Sequence, residues 1–333
     1  VRETVVVKRT GRKSLLEWLG WETFRGQGSS AEDDGLMDLT VGIPRALTYH
    51  FHPGLWETFF RSLGARVSVS APTTEDTVKR ASLISESEHC FSVKLFDAHV
   101  HALVEDVDAV FVPRILSTHP DHIACPKLGA VPDSVRAEFG DRVEVLTLDI
   151  DARRETLRSA LCRLGVDLGA DESTVGSAVE AACEALERAQ EEARLHRAGG
   201  AERCLLLSHP YNIHNACFAG PIVEKLGLMD VEVEGVDFRR TPGGEGRIKW
   251  DTAAIMYDAL QEMDPGQYDG VIQLTAFNCG CDSIVSEFYE QVVRDKRIPY
   301  MSIVVDEHTA TTGTDTRLEA FIDSIRARKR KEE

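Results

Sequence analysis

Thiols are the side chains of this 333-residue sequence most able to do chemistry, at Cys90, Cys125, Cys162, Cys183, Cys204, Cys217, Cys279 and Cys281. The stretch TAFNCGCDS, residues 275–283, sets two of them one residue apart, after the apolar run GVIQLT and before the helical pattern IVSEFYEQVV. A strand that hands directly into a helix leaves backbone N–H groups free and presents the positive end of the helix dipole, and both stabilise thiolate sulfur. Cys125 precedes Pro126 in a loop after a strand, and Cys90 precedes FSVKLF, where a helix begins. Cys162 and Cys183 lie inside helical patterns and Cys204 begins a strand, so these three read as small buried hydrophobes. Cys217, in NIHNAC, receives no assignment.

Cys90, Cys125 and Cys279 are far apart in sequence yet share one kind of position, a loop or helix start. Soft thiolates select zinc or an iron–sulfur cluster. Structural zinc sites use closely spaced ligand pairs, so ligands drawn from distant loops favour a [4Fe–4S] cluster held in a cleft. Zinc and unliganded thiols remain the alternatives, and His122, three residues before Cys125, has a spacing that suits zinc. Cys281 is expected to lie in the helix and point away from the ligand side, with a fourth iron ligand as the other outcome. His209 and His308 are candidate proton donors, because imidazole titrates near neutrality. Arg45 and Arg114 each follow a proline at a strand end, where a guanidinium suits an anion or an acidic neighbour. Lys94 and Lys127 flank the candidate ligands and would offset the negative charge of a cluster.

These residues need elements to position them. Strand-like runs alternate with helical patterns from Leu39 onward, so the fold expected is α/β, two doubly wound parallel-sheet lobes joined by a long helix. The boundaries read as a loosely ordered lead-in at 1–38, an N-terminal lobe at 39–170, a linking helix at 171–199 and a C-terminal lobe at 200–333. Val175, Val179, Ala182, Leu186, Ala189 and Ala193 give the linking segment its helical period. In such sheets ligands bind beyond the carboxyl ends of the strands, which is where GIPRA, PRILSTHPDHIACPK, SHPYN, TAFNCGCDS and DEHTATTG fall. A net charge of −17 argues against a nucleic-acid partner. The apolar runs are only strand-length and no signal peptide is readable, so the expected location is cytoplasmic. No phosphate-loop or dinucleotide-binding glycine motif is present, so ATP hydrolysis belongs elsewhere.

The segments VGIPRAL, PTTEDT, CFSVKLFDAHV, FVPRI, CPK, HPYNI, IQLTAFNCG and DEHT with TRLEAF, in that order, resemble the activase-related family that accompanies 2-hydroxyacyl-CoA dehydratases in anaerobes. The resemblance implies kinship with two-lobed dehydratase subunits that hold a [4Fe–4S] cluster through three cysteines, matching Cys90, Cys125 and Cys279 here. It also implies a separate ATP-hydrolysing activator as electron donor, a second dehydratase-like subunit as a further partner, and a small acyl-CoA-like substrate that is reduced or dehydrated. A non-catalytic electron-relay or maturation module, or a zinc-stabilised two-lobe binding protein, are the alternatives. The family usually carries no cysteine at position 281, so this chain departs from the pattern beside a ligand.

Overall fold

The computed structural model describes Leu36 and residues 39–193, 195–243, 246, 248–307 and 311–332. The lead-in expected over 1–38, Leu36 apart, and the candidate His308 lie outside the described residues.

The first half runs β1 (Thr40–Ile43), a 3₁₀ turn at Leu47–Phe51, α1 (Leu55–Ser62), β2 (Arg66–Val69), α2 (Glu75–Ile84), α3 (Phe91–His101), β3 (Ala109–Phe111) and β4 (Arg114–Ser117). It continues through α4 (Pro126–Phe139), β5 (Glu144–Leu146), β6 (Asp149–Asp151), α5 (Leu157–Asp167) and α6 (Glu172–Glu192). The second half runs β7 (His196–Arg197), β8 (Glu202–Leu207), the single turn α7 (Pro210–Ile213), α8 (Gly220–Leu228), β9 (Val231–Gly235) and α9 (Asp251–Glu262). After these come β10 (Gly270–Ala276), α10 (Gly280–Asp295), β11 (Tyr300–Val305) and α11 (Thr311–Glu332).

Two main sheets result, ordered β2-β1-β3-β5 and β11-β10-β8-β9-β7. Every pairing in them is parallel except β7 with β9, an antiparallel edge. Numbered within its own half, each set of parallel strands follows the order 2-1-3-4, and the winding reverses between β1 and β3 and between β8 and β10. That reversal opens a crevice at the carboxyl ends of the strands, the place where doubly wound sheets bind ligands. All seven residues of β10 are buried, as expected of a central parallel strand covered on both faces.

The apolar runs DAVFVPRIL and VEVLTLD are each split into two strands, at Pro113 and at residues 147–148. Pro113 has no N–H to give a ladder, so the chain leaves the main sheet after Phe111 and restarts as β4. β4 pairs with β6 in a separate two-stranded sheet that aligns Arg114 with Asp149.

α6 starts at Asp171, whose Oδ1 accepts from the Ser173 and Thr174 amides at 2.9 and 3.0 Å. Its buried stripe of Val175, Ala178, Val179, Ala182 and Cys183 packs on α1 and α5. Gly54 has φ of 76° and lies against it, where an added Cβ would come within 3.3 Å of the Ala185 carbonyl. The helix ends at Glu192, short of the 199 expected, because His196 already pairs with Glu234 of β9. No described helix is long and apolar enough to cross a membrane.

Polar contacts clamp the halves together. Ser92 Oγ donates to Asn212 Oδ1 at 2.7 Å, Asn215 Nδ2 donates to Thr73 Oγ1 at 2.9 Å, and the Phe91 amide donates to the Phe277 carbonyl at 3.0 Å.

Candidate thiol centre between the two sheets

Cys90, Cys125 and Cys279 are the N-cap residues of α3, α4 and α10. Three helix N-termini, two from the first half and one from the second, thus point at one place. They are held there by two carbonyls. The Phe277 carbonyl takes the first amide of α3, and the Glu88 carbonyl accepts from both Asn278 Nδ2, at 3.2 Å, and Lys127 Nζ. Asn278 reaches it from φ of 64°, a left-handed conformation that asparagine tolerates better than most residues. Residues 88, 127 and 278 are thereby stapled together, and each stands one or two positions from a candidate thiol.

The thiols differ in their electrostatics. Burial pushes the Cys90 thiol up, and the Val93 amide and the Lys127 ammonium partly oppose this. Burial also pushes Cys279 up, reinforced by the Asp282 carboxylate. Cys125 moves down, because Cys281 donates a hydrogen bond to it across the space between α4 and α10, and the Lys127 and Leu128 amides favour the same thiolate. Cys281, as the donor and as a buried group, moves up.

All four cysteines line one cavity of about 330 Å³, to which Leu47, Tyr211, Trp250 and Ile284 add apolar surface. Cys281 does not point away as expected. Side chains lean toward the N-terminus of their helix, so a residue in the first turn projects its side chain over the cap and into the cavity. Gly280 also lines the cavity, and a Cβ built on it meets no atom within 4 Å.

His209 caps α7 and is buried. Its Nε2 lies 3.0 Å from Asp282 Oδ1, and its ring stacks on Tyr211 with centroids 5.0 Å apart. Burial works to lower the imidazole pKa, but the Asp282 carboxylate overcomes it and the net shift is upward. His209 Nδ1 and Asp282 Oδ2 are both buried without a hydrogen-bond partner. The ligand atoms of His209, Cys279 and Asp282 lie within 4.8 Å of one another, a group able to hold a metal ion. Asp282 escaped the sequence reading. Its only signal there was a carboxylate in the first turn of a helix, a common place for one, and its partner stands 73 residues away.

Other candidates are placed elsewhere. Lys94 does not line the thiol cavity; its Nζ pairs with Glu307 Oε1 at 2.9 Å. Arg114 is held by Asp133 at 2.7 Å and Asp149 at 3.2 Å, the acidic-neighbour outcome rather than a free anion site. Arg45 sits beyond β1, its amide on Ser70 Oγ at 2.8 Å and its guanidinium close enough to help depress His50 and His99. His122 is buried and does not line the cavity. Cys217 donates to the Thr73 carbonyl at 3.0 Å. Cys183 and Cys204 are buried as expected, but Cys162 is exposed on the outer face of α5.

The profile of the CoA enzyme activase uncharacterised domain matches residues 40–238, a span that contains Cys90, Cys125 and His209. No curated protein matches the chain. A solved structure titled "Crystal structure of ZnuA" is similar over 86% of this chain and 97% of that one, at 10% identity and a TM-score of 0.25.

Proposed function

The chain belongs to the family of the CoA enzyme activase uncharacterised domain, and from that premise we propose that it is the iron–sulfur component of a 2-hydroxyacyl-CoA dehydratase-like system. Cys90, Cys125 and Cys279 would hold a [4Fe–4S] cluster in the cleft. The observation that carries this reading is the convergence of four thiols from three helix N-termini on one cavity. The cavity fits a group larger than one ion. Its volume of about 330 Å³ is roughly ten times a water's share of liquid volume, and Gly280 leaves open the side where a Cβ would stand.

A cluster so held would supply one-electron chemistry at low potential and, with Cys90, Cys125 and Cys279 as its protein ligands, would leave an iron to take a small acyl-thioester-like substrate. The chain's own residues do the rest. The amides at the three helix starts and the Lys127 ammonium favour sulfur as thiolate, and most of the remaining lining is apolar. His209, held by Asp282, keeps a proton beside the centre. Electrons would come from a separate ATP-hydrolysing partner, since no phosphate-loop motif occurs in this sequence.

A second reading has one specific observation in its favour. Cys281 lines the cavity, and as a fourth ligand it would close the cluster and make the protein an electron-relay or maturation module. Anaerobic reconstitution with iron and sulfide, counting iron, sulfide and zinc per chain, tests the cluster that both readings require, and Cys281→Ala separates the two. Iron and sulfide in equal number support a cluster. Stoichiometric zinc without sulfide overturns it.

A further inference from the structure

We infer that a second cavity, back to back with the thiol centre, is a binding site for a small uncharged compound with a planar ring or acyl body and an amide-like hydrogen-bonding group. The inference goes beyond the proposed function and does not need the cluster. The cavity measures about 310 Å³, within the range of small-molecule sites. Four chain segments contribute to both cavities. Leu47, Cys125, Tyr211 and Trp250 face the thiol centre, while His50, His119, Pro210 and Thr252, each one to six positions away along the chain, face the second cavity. A molecule bound there touches the segment that carries Cys125 and three segments that wall the thiol centre.

The lining selects the chemical class. His50 and His214 stand with ring centroids 6.1 Å apart and planes 34° from parallel, and His52 and His119 complete a set of four imidazoles among apolar and aromatic walls. Among the described residues that line it, an acid or an amine finds no free opposite charge. Asp237 and Arg239 both line the space but pair with each other at 2.7 Å, and Arg239 reaches Glu191 as well. Burial keeps the imidazoles neutral, holding His50 down to about 3 and His52 to about 4, with His119 and His214 also lowered. A neutral imidazole offers one N–H donor and one ring-nitrogen acceptor. Donors and acceptors in apolar surroundings, with no net charge, complement an amide or a neutral nitrogen heterocycle. They penalise ions, which would lose hydration without gaining a partner.

Three probes of one shape and different charge test this, namely benzamide, benzoate and benzylamine. Binding is measured by calorimetry and ligand-observed NMR on the full chain without iron. Benzamide is expected to bind at least about tenfold more tightly than either ion. His50→Gln, which alters the polar lining, and Leu157→Trp, which fills the cavity from a partly buried position, should each weaken benzamide by a similar factor, with thermal unfolding recorded for both. Equal binding of the three probes, preference for an ion, no binding of benzamide, or undiminished binding in a folded variant each overturn the proposal. Because iron is absent throughout, none of these outcomes bears on whether the thiols hold a cluster.

Discussion

His209 Nε2 stands 3.0 Å from Asp282 Oδ1, joining the turn after β8 to the first turn of α10, with 3% and 1% of the two residues exposed. The folded-state pKa of the imidazole is raised by this carboxylate. A raised folded value means that the stability from the charged pair is fully present below the unfolded pKa near 6.5 and is lost as pH rises through the folded value. Urea midpoints of the protein should therefore fall on going from pH 6 to pH 9. Asp282→Asn should flatten that slope and cost about 1–3 kcal/mol at pH 6. A slope unchanged in the variant would disconnect the pair from stability.

Acid should act through different histidines. His50, His52 and His99 have folded values lowered to about 3, 4 and 4, chiefly by burial. Between these values and 6.5 the unfolded chain binds more protons, so stability rises with pH there and is lost as pH falls. The unfolding midpoint should drop steadily from pH 6.5 to 4, and His52→Phe should make that drop shallower. A parallel pair of curves would remove His52 from the acid response.

Gly280 gives a separate test of what fills the thiol cavity. Gly280→Val places a branched side chain where a Cβ meets no protein atom. Bound iron and sulfide should fall severalfold while stability stays within about 1 kcal/mol, the range of substitutions that disturb no packing. Normal iron content in the variant would mean that the cluster does not occupy the space beside Gly280.

Much of the fold was legible because parallel strands covered on both faces read as apolar runs, and GVIQLTA forms β10 at Gly270–Ala276. The break at Pro113 was visible in the residue type but not in the hydrophobic pattern, which continues from DAVFV into RIL. The caps at Cys90 and Cys279 were legible from local context, since a loop followed by a helical period marks an N-terminus without long-range information, whereas Cys125 read only as a loop residue before Pro126. Lys94 was not legible. Its distance from Cys90 suggested a neighbour of the thiol, but one helical turn carries it toward Glu307, 213 residues away. Contacts of that kind, like the one between His209 and Asp282, exist only after the two sheets meet.

That difference separates the two lysines experimentally. Lys127 Nζ donates to the Glu88 carbonyl and lines the thiol cavity, so Lys127→Glu should lower iron content. Lys94→Glu would set a second carboxylate against Glu307 in a partly buried site. It should instead cost about 3 kcal/mol or more, because a partly buried ion pair is replaced by two like charges. Iron loss of equal size in both, with stability intact, would restore Lys94 to the thiol centre.

Cys125 and Cys281 offer the sharpest discrimination between an open and a closed cluster. Without metal, the hydrogen bond from Cys281 holds the Cys125 pKa below that of an ordinary thiol, so more of it is thiolate at pH 7. Cys125 should be the first of the cavity thiols alkylated by iodoacetamide, located by peptide mass analysis. Cys281→Ala should slow that reaction by removing the donor. With iron supplied anaerobically, Cys279→Ala should lose the cluster, because the cap sulfur faces the cavity beside Gly280. Cys281→Ala should keep it and leave one iron free to take an added ligand, seen as a shift in the spectrum of the reduced protein. If Cys281→Ala loses iron as fully as Cys279→Ala, four cysteines close the cluster. The protein then passes electrons on without a substrate-binding iron.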